Sequence, residues 1–290
     1  MRAGRAQVRR LGAYQGPLAA DQPTATAAPA WRRWLGPAVA LVVGGLFVLA
    51  LLQLEISFER LREAATRASF IIGLMLPPRL AYPLNILQGA LESLQIAVLG
   101  TLFGVFLSSL LAVLAARNLS PHPSLAYLIK GLAGFVRAVP ALIWALVCIV
   151  AVGLGPTPGI LALAINSTGM LVKVYSESLE ELDRGVIEAL RATGAGPAAV
   201  ILQGVVPTVM GIVVAWSIFR LEINVRYAAV LGIVGAGGIG FELMRAARML
   251  QYDEVLGVTM AILLMVLGTE AVTQYVRRQL DVPATVSRRR

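Results

Sequence analysis

Two runs of this chain hold residue types that could do chemistry. The first is Gly235-Ala236-Gly237-Gly238-Ile239-Gly240, preceded by the apolar AAVLGIV and followed by Asp253, eighteen residues after Gly235. This matches G-x-G-x-x-G, whose glycines let a backbone approach a pyrophosphate at a helix N-terminus. The second is Phe219-Arg220-Leu221-Glu222-Ile223-Asn224-Val225-Arg226. Arg220 and Asn224 are four apart and share one helix face. Glu222 and Arg226 are four apart in the acid-first order that favours a pair. An arginine fork suits a tetrahedral oxyanion. A charge near the middle of a bilayer costs roughly 2.5–3.5 kcal/mol on insertion scales, so it demands a partner or a cargo. Two readings fit this run: a structural polar network holding the helix to the glycine loop, and direct contact with an anion.

The setting decides between the chemistries of the glycine run. A dinucleotide site needs a βαβ unit, but the flanks here read as membrane helices. The loop therefore reads as close-packed backbone, which lipid tolerates only beside a water-lined path. No G-x-x-x-x-G-K-[ST] occurs, so the chain has no phosphate-binding loop for ATP. The single cysteine, Cys148, lies in an apolar run, and the single histidine, His122, lies between Pro121 and Pro123. No cofactor or metal is expected on this chain, and no clustered nucleophile and base marks an enzyme.

The elements that position these residues follow from composition. Of 290 residues, 58% are hydrophobic and 14% charged, against roughly 45–50% and 25% in soluble domains. That excludes a soluble enzyme and a disordered chain. The net charge of +9 sits between apolar runs and at the ends. Such placement orients a membrane protein rather than binding nucleic acid. Residues 1–34 read as a disordered basic tail, and 35–54 as an uncleaved first span. Residues 55–88 read as an outer segment with an amphipathic helix over 56–76, stopped by Pro77-Pro78. A bundle over 89–280 has spans at about 90–116, 132–154, 158–179, 198–221 and 254–276, and 281–290 is a second tail. Six spans put both termini on one side. Lys and Arg are denser there, so that side is expected to be cytoplasmic. Arg137 is expected to snorkel or to pair across a dimer. Lys173 and Glu270 read as interfacial, while Asn166, Ser167 and Thr168 line a path or bond neighbouring helices.

A polar island, Glu188-Ala189-Leu190-Arg191-Ala192-Thr193-Gly194, is followed thirteen residues later by Pro207. By itself it is a short helix stopped by glycine, a knob on which a soluble partner could dock. Its spacing resembles the EAA loop of bacterial ABC-importer permeases, with Leu190 in place of the second alanine, Gly204 where Ile is usual and Val206 where Leu is usual. Arg137-Ala138-Val139-Pro140 resembles the Arg-x-x-Pro of the same superfamily. The Phe219–Arg226 run, with Val230–Gly240 and Tyr252-Asp253 after it, resembles the phosphonate-importer (PhnE-type) permeases. The resemblance covers about residues 85–280.

The resemblance implies an all-α polytopic membrane protein with a methionine-importer-like core of five helices plus one N-terminal helix. It implies two copies around a path, and alternating access powered by a cytoplasmic ATPase that carries the ATP and Mg. It also implies a periplasmic phosphonate-binding protein. Glu188, Ala189, Leu190, Gly194 and Pro207 would form the ATPase-coupling element. Arg137, Arg220, Glu222, Asn224, Arg226, Gly235, Gly237, Gly238 and Gly240 would line the path or its gate near the two-fold axis. Phosphite, phosphate or another small anion is the alternative cargo. A secondary transporter would instead show inverted repeats and midplane carboxylates.

Overall fold

The structure is a computed structural model and describes residues 31–53, 57–182, 184–196 and 199–279. The expected tails lie outside these residues, except that the first helix begins at Trp31. The chain divides into two units, residues 1–67 and 68–290.

The first unit holds α1 (Trp31–Gln53) and the start of α2 (Phe58–Met75). Gly36–Gln53 is long and apolar enough to cross a membrane. The Ser57 hydroxyl caps α2 by accepting the Arg60 N–H at 3.2 Å. The helix stops before Pro77-Pro78, where no backbone N–H is available to continue it.

The second unit holds the bundle. Its centre is the crossing of α3 (Pro83–Ala115) with α6 (Pro156–Glu180). Gly100 and Gly104, one turn apart on α3, set how close that crossing is. A Cβ at Gly100 would lie 2.6 Å from the Leu163 Cβ, and one at Gly104 would collide with Ser167. Lipid gives apolar helices little reason to associate, so small residues that admit close backbone packing drive the contact. The approach brings Thr101 to the level of Ser167. Ile96, Leu163, Val225 and Leu231 fill the space between α3, α6 and the later helix Val206–Ile233, while Leu102, Phe103 and Phe106 stay exposed.

The expected continuous span over 132–154 is corrected. Two helices, α4 (Pro123–Ala138) and α5 (Ala141–Val152), meet there at 92°. Pro140 has no N–H and its ring excludes the carbonyl four residues back, while Val139 is held extended. The freed Val136 carbonyl accepts the Trp144 indole N–H at 3.2 Å.

After α7 (Arg184–Ala192), a π-helical turn, Val200–Val205, runs into α8 (Val206–Ile233). The expected fifth span, 198–221, therefore continues to Ile233. The Val206 N–H donates to the Ile201 carbonyl, the wide register that lets Pro207 follow without an unmatched i−4 bond. A short helix, α9 (Ile239–Arg248), precedes α10 (Tyr252–Gln279). Among the described residues, five helices are long and apolar enough to span a membrane, or six with the α4–α5 pair counted as one.

Candidate functional site

Each end of the bundle is tied by its own polar cluster. At one end, Glu180 closes α6. Its carboxylate accepts the Arg117 N–H and the Lys130 ammonium, each at 2.8 Å. The Asn118 amide donates to the Leu179 carbonyl. Beyond Glu180 hangs α7, on which Glu188 and Ala189 are exposed and Leu190 is half-buried. The helix ends at Ala192, and Gly194 follows with φ +80°. Pro207, also exposed, is the second residue of α8.

The opposite end holds the glycine run. Gly235, Gly237 and Gly238 have φ of +100°, +75° and +78°, a region that side chains with a Cβ rarely adopt. The Gly238 N–H donates to Glu92 Oε2 at 3.1 Å, and the Ile239 N–H to the Ser93 hydroxyl at 2.9 Å. These donors open α9, so the N-terminus that a G-x-G-x-x-G would offer to a phosphate already holds a carboxylate. A Cβ on Gly238 would collide with Ser93, and one on Gly240 with the Ala229 carbonyl. The Gly155 N–H ties the α5–α6 turn to the Gly235 carbonyl at 3.0 Å. Behind the loop, Arg245 pairs with Glu242 at 2.8 Å and with the buried Glu254, and lies 4.8 Å over the Tyr82 ring. Hydrogen bonding to Glu242 raises the Arg245 pKa further, so this cation stays charged.

Between the ends lies a network spanning α3, α6 and α8. Arg220 is 3% exposed and Asn224 fully buried. Arg220 Nε–H donates to the Ser167 hydroxyl at 2.9 Å, one Nη2–H to Asn166 Oδ1, and Nη1 faces the Met170 sulfur at 3.5 Å. The Asn224 amide donates to the same Ser167 oxygen at 2.9 Å and to the Thr101 hydroxyl at 2.8 Å. Thr101 passes its own proton to the Ala97 carbonyl. Among the described residues, every partner of Arg220 is neutral, so a full positive charge sits inside the bundle without a carboxylate.

The expected pairing of Glu222 with Arg226 is corrected. Glu222 accepts from Thr273 and lies 3.2 Å from Arg277, both on α10. Arg226 is exposed on α8. The reason is that a tertiary partner on a packed helix competes successfully with a neighbour one turn away. Arg137 is exposed at the end of α4, in a cleft with Met170, Lys173 and Trp216. Glu92, Ser93, Thr101, Met170 and Thr273 were not singled out as site residues from the sequence. The Gly100–Gly104 spacing was the one local signal that α3 must lie close to a partner.

Residues 104–281 match the family described as the binding-protein-dependent transport system inner membrane component. The chain belongs to this family. It is accordingly a multi-pass inner-membrane permease of the ABC transporter type. The phosphate-import permease protein PhnE of Mycolicibacterium smegmatis is 44% identical over 210 residues, covering 72% of this chain and 40% of that relative. The chain thus spans less than half the length of the mycobacterial protein. The phosphite transport system permease protein PtxC of Stutzerimonas stutzeri is 37% identical over 252 residues, covering 86% of this permease and 90% of that one. In fold, the permease resembles a chain of the inward-facing MetNI methionine ABC transporter, with a TM-score of 0.60 at 20% identity over 69% of this chain and 99% of that one.

Proposed function

We propose that this permease is the translocation subunit of an ATP-driven importer of phosphonates, working by alternating access. Two copies enclose the path. A cytoplasmic ATPase, which carries the ATP and Mg, seats on α7 at Glu188, Ala189, Leu190 and Gly194. A periplasmic binding protein delivers the anion at the glycine-loop end, and both termini of the chain are cytoplasmic.

The uncompensated Arg220 carries the proposal. A buried guanidinium held by neutral partners keeps its full charge available, whereas a carboxylate would have neutralised it. At an effective dielectric of about 20, an anion 4 Å away gains roughly 4 kcal/mol from one such charge. Fixed acceptors on Ser167 and Asn166 aim the fork, and a fork matches the paired oxygens of a phosphonate. Glu222 does not oppose the cargo, because Arg277 neutralises it. Two donors of the glycine loop are occupied by Glu92 and Ser93 and two more by carbonyls of α8, so the loop serves as a rigid hub and does not hold the anion.

Phosphonate is the first reading because the runs at 219–226 and 230–240 resemble phosphonate-importer permeases. Phosphate and phosphite, which the relatives' names carry, share its tetrahedral anionic phosphorus. The test is uptake into proteoliposomes holding the permease, its ATPase and its binding protein. ATP-dependent uptake of methylphosphonate that phosphite and phosphate compete with only weakly supports the reading. No ATP-dependent uptake of any of the three overturns it.

A further inference from the structure

A cleft of about 360 Å³ opens between α4, α6 and α8, lined by Arg137, Met170, Lys173, Glu177, Glu181 and Trp216 among others. Four of these residues follow one another along α6 and its C-cap, from Met170 to Glu181. At 1.5 Å per residue the cleft therefore runs about 16 Å, from mid-bundle toward the α7 end. Met170 is its deep end. The sulfur of that same residue faces Nη1 of Arg220 at 3.5 Å. One side chain thus belongs both to the wall of the cleft and to the coordination of the buried cation.

The chemistry of that side chain is unusual for the place. A thioether is a weak acceptor, far poorer than an oxyanion, for a guanidinium N–H. Methionine is unbranched, with three rotatable bonds, so its end swings aside without moving a helix. The rest of the guanidinium does not depend on it. Nε and Nη2 are held by Ser167 and Asn166, so Arg220 stays aimed when the sulfur leaves.

The charges along the cleft are ordered as well. Lys173 lies toward the deep end, beside the Met170 that covers Arg220, and Glu177 and Glu181 lie toward the α6 C-terminus, with Lys173 3.7 Å from Glu177 and Arg137 lining the cleft from α4. An anion is stabilised at the deep end, and the outer carboxylates oppose its return.

We propose that Met170 is the gate between Arg220 and this cleft, and sets when an anion held on the guanidinium passes toward the α7 end. It covers Nη1 until a phosphorus oxyanion displaces the thioether and takes its place on the fork. The identity of the displacing anion rests on the function proposed above; the gate itself rests on the geometry of Met170.

The test uses the full chain in membrane vesicles, with Cys148→Ala removing the native thiol and Met170→Cys placing a reporter. The probes are an anionic sulfonatoethyl and a cationic trimethylammonium methanethiosulfonate. The anionic reagent is expected to react at least about tenfold faster, because the local positive field concentrates it. Methylphosphonate should slow that reaction, and adding Arg220→Gln should weaken the preference and erase the protection. Equal rates for the two reagents, or no reaction with either, overturn the gate. Charge preference without protection by methylphosphonate supports the gate and overturns the phosphonate assignment.

A second pair of variants guards against a folding defect. Met170→Glu seats a tethered carboxylate on Arg220 and should cut ATP-dependent methylphosphonate uptake at least about tenfold at unchanged abundance, with Met170→Gln less affected. Unimpaired uptake by Met170→Glu overturns the proposal.

Discussion

Nε of Arg220 and the hydroxyl of Ser167 lie 2.9 Å apart in the bundle interior, although 53 residues separate them in the chain. Ser167 is also an acceptor for Asn224, so one small side chain organises two polar groups of α8. Close packing of α3 on α6 places it there.

Ser167→Ala should therefore destabilise the permease more than an ordinary hydroxyl deletion. It leaves the Arg220 Nε–H without its acceptor and removes one of the two Asn224 amide contacts. A buried donor left unpaired costs about 1–3 kcal/mol. The measurement is the thermal unfolding midpoint of the purified chain in detergent. An unchanged midpoint would show that the network contributes nothing to stability.

At the glycine-loop end, Gly238→Ala should be costlier than Glu92→Gln. The first forces a Cβ onto φ +78° and into Ser93, for about 1–3 kcal/mol. The second keeps the acceptor shape and loses only the charge at the start of α9, for about 0.3–1 kcal/mol. The same unfolding measurement ranks them, and the reverse order would contradict the account of the loop.

The spans were legible in the sequence because lipid demands long uncharged runs, and α3, α6 and α10 follow those runs closely. The bend at Pro140 was written in the proline, yet the apolar run continues through it and hides the break. The network was visible only by halves. Arg220 and Asn224 announced a shared face through their spacing of four, but their partners Thr101, Asn166 and Ser167 sit 53 to 123 residues away. Glu222 shows the limit of local rules: the spacing pointed to Arg226, and packing supplied Arg277. Glu92 could not be read as the cap of α9, because no short-range pattern links a side chain on α3 to a loop 146 residues later.

Glu188→Lys and Gly194→Val should uncouple the complex. Glu188 is exposed on α7, and Gly194 holds the left-handed turn that ends it. ATP hydrolysis by the assembled transporter should persist while uptake per ATP falls severalfold, with membrane abundance unchanged. Normal uptake in both variants, or labelling of cysteines at these positions from the periplasmic side, would contradict the placement of α7 at the ATPase.

The uncompensated charge of Arg220 is the central claim, and the most direct measurement is ATP-dependent methylphosphonate uptake by Arg220→Lys and Arg220→Ala beside the unaltered chain. Lysine keeps the charge and loses the fork; alanine loses both. Uptake should fall at least about tenfold in Arg220→Lys, a loss of roughly 1.4 kcal/mol, and further in Arg220→Ala, with abundance and basal ATPase activity retained. Full uptake by Arg220→Ala at normal abundance would contradict the account.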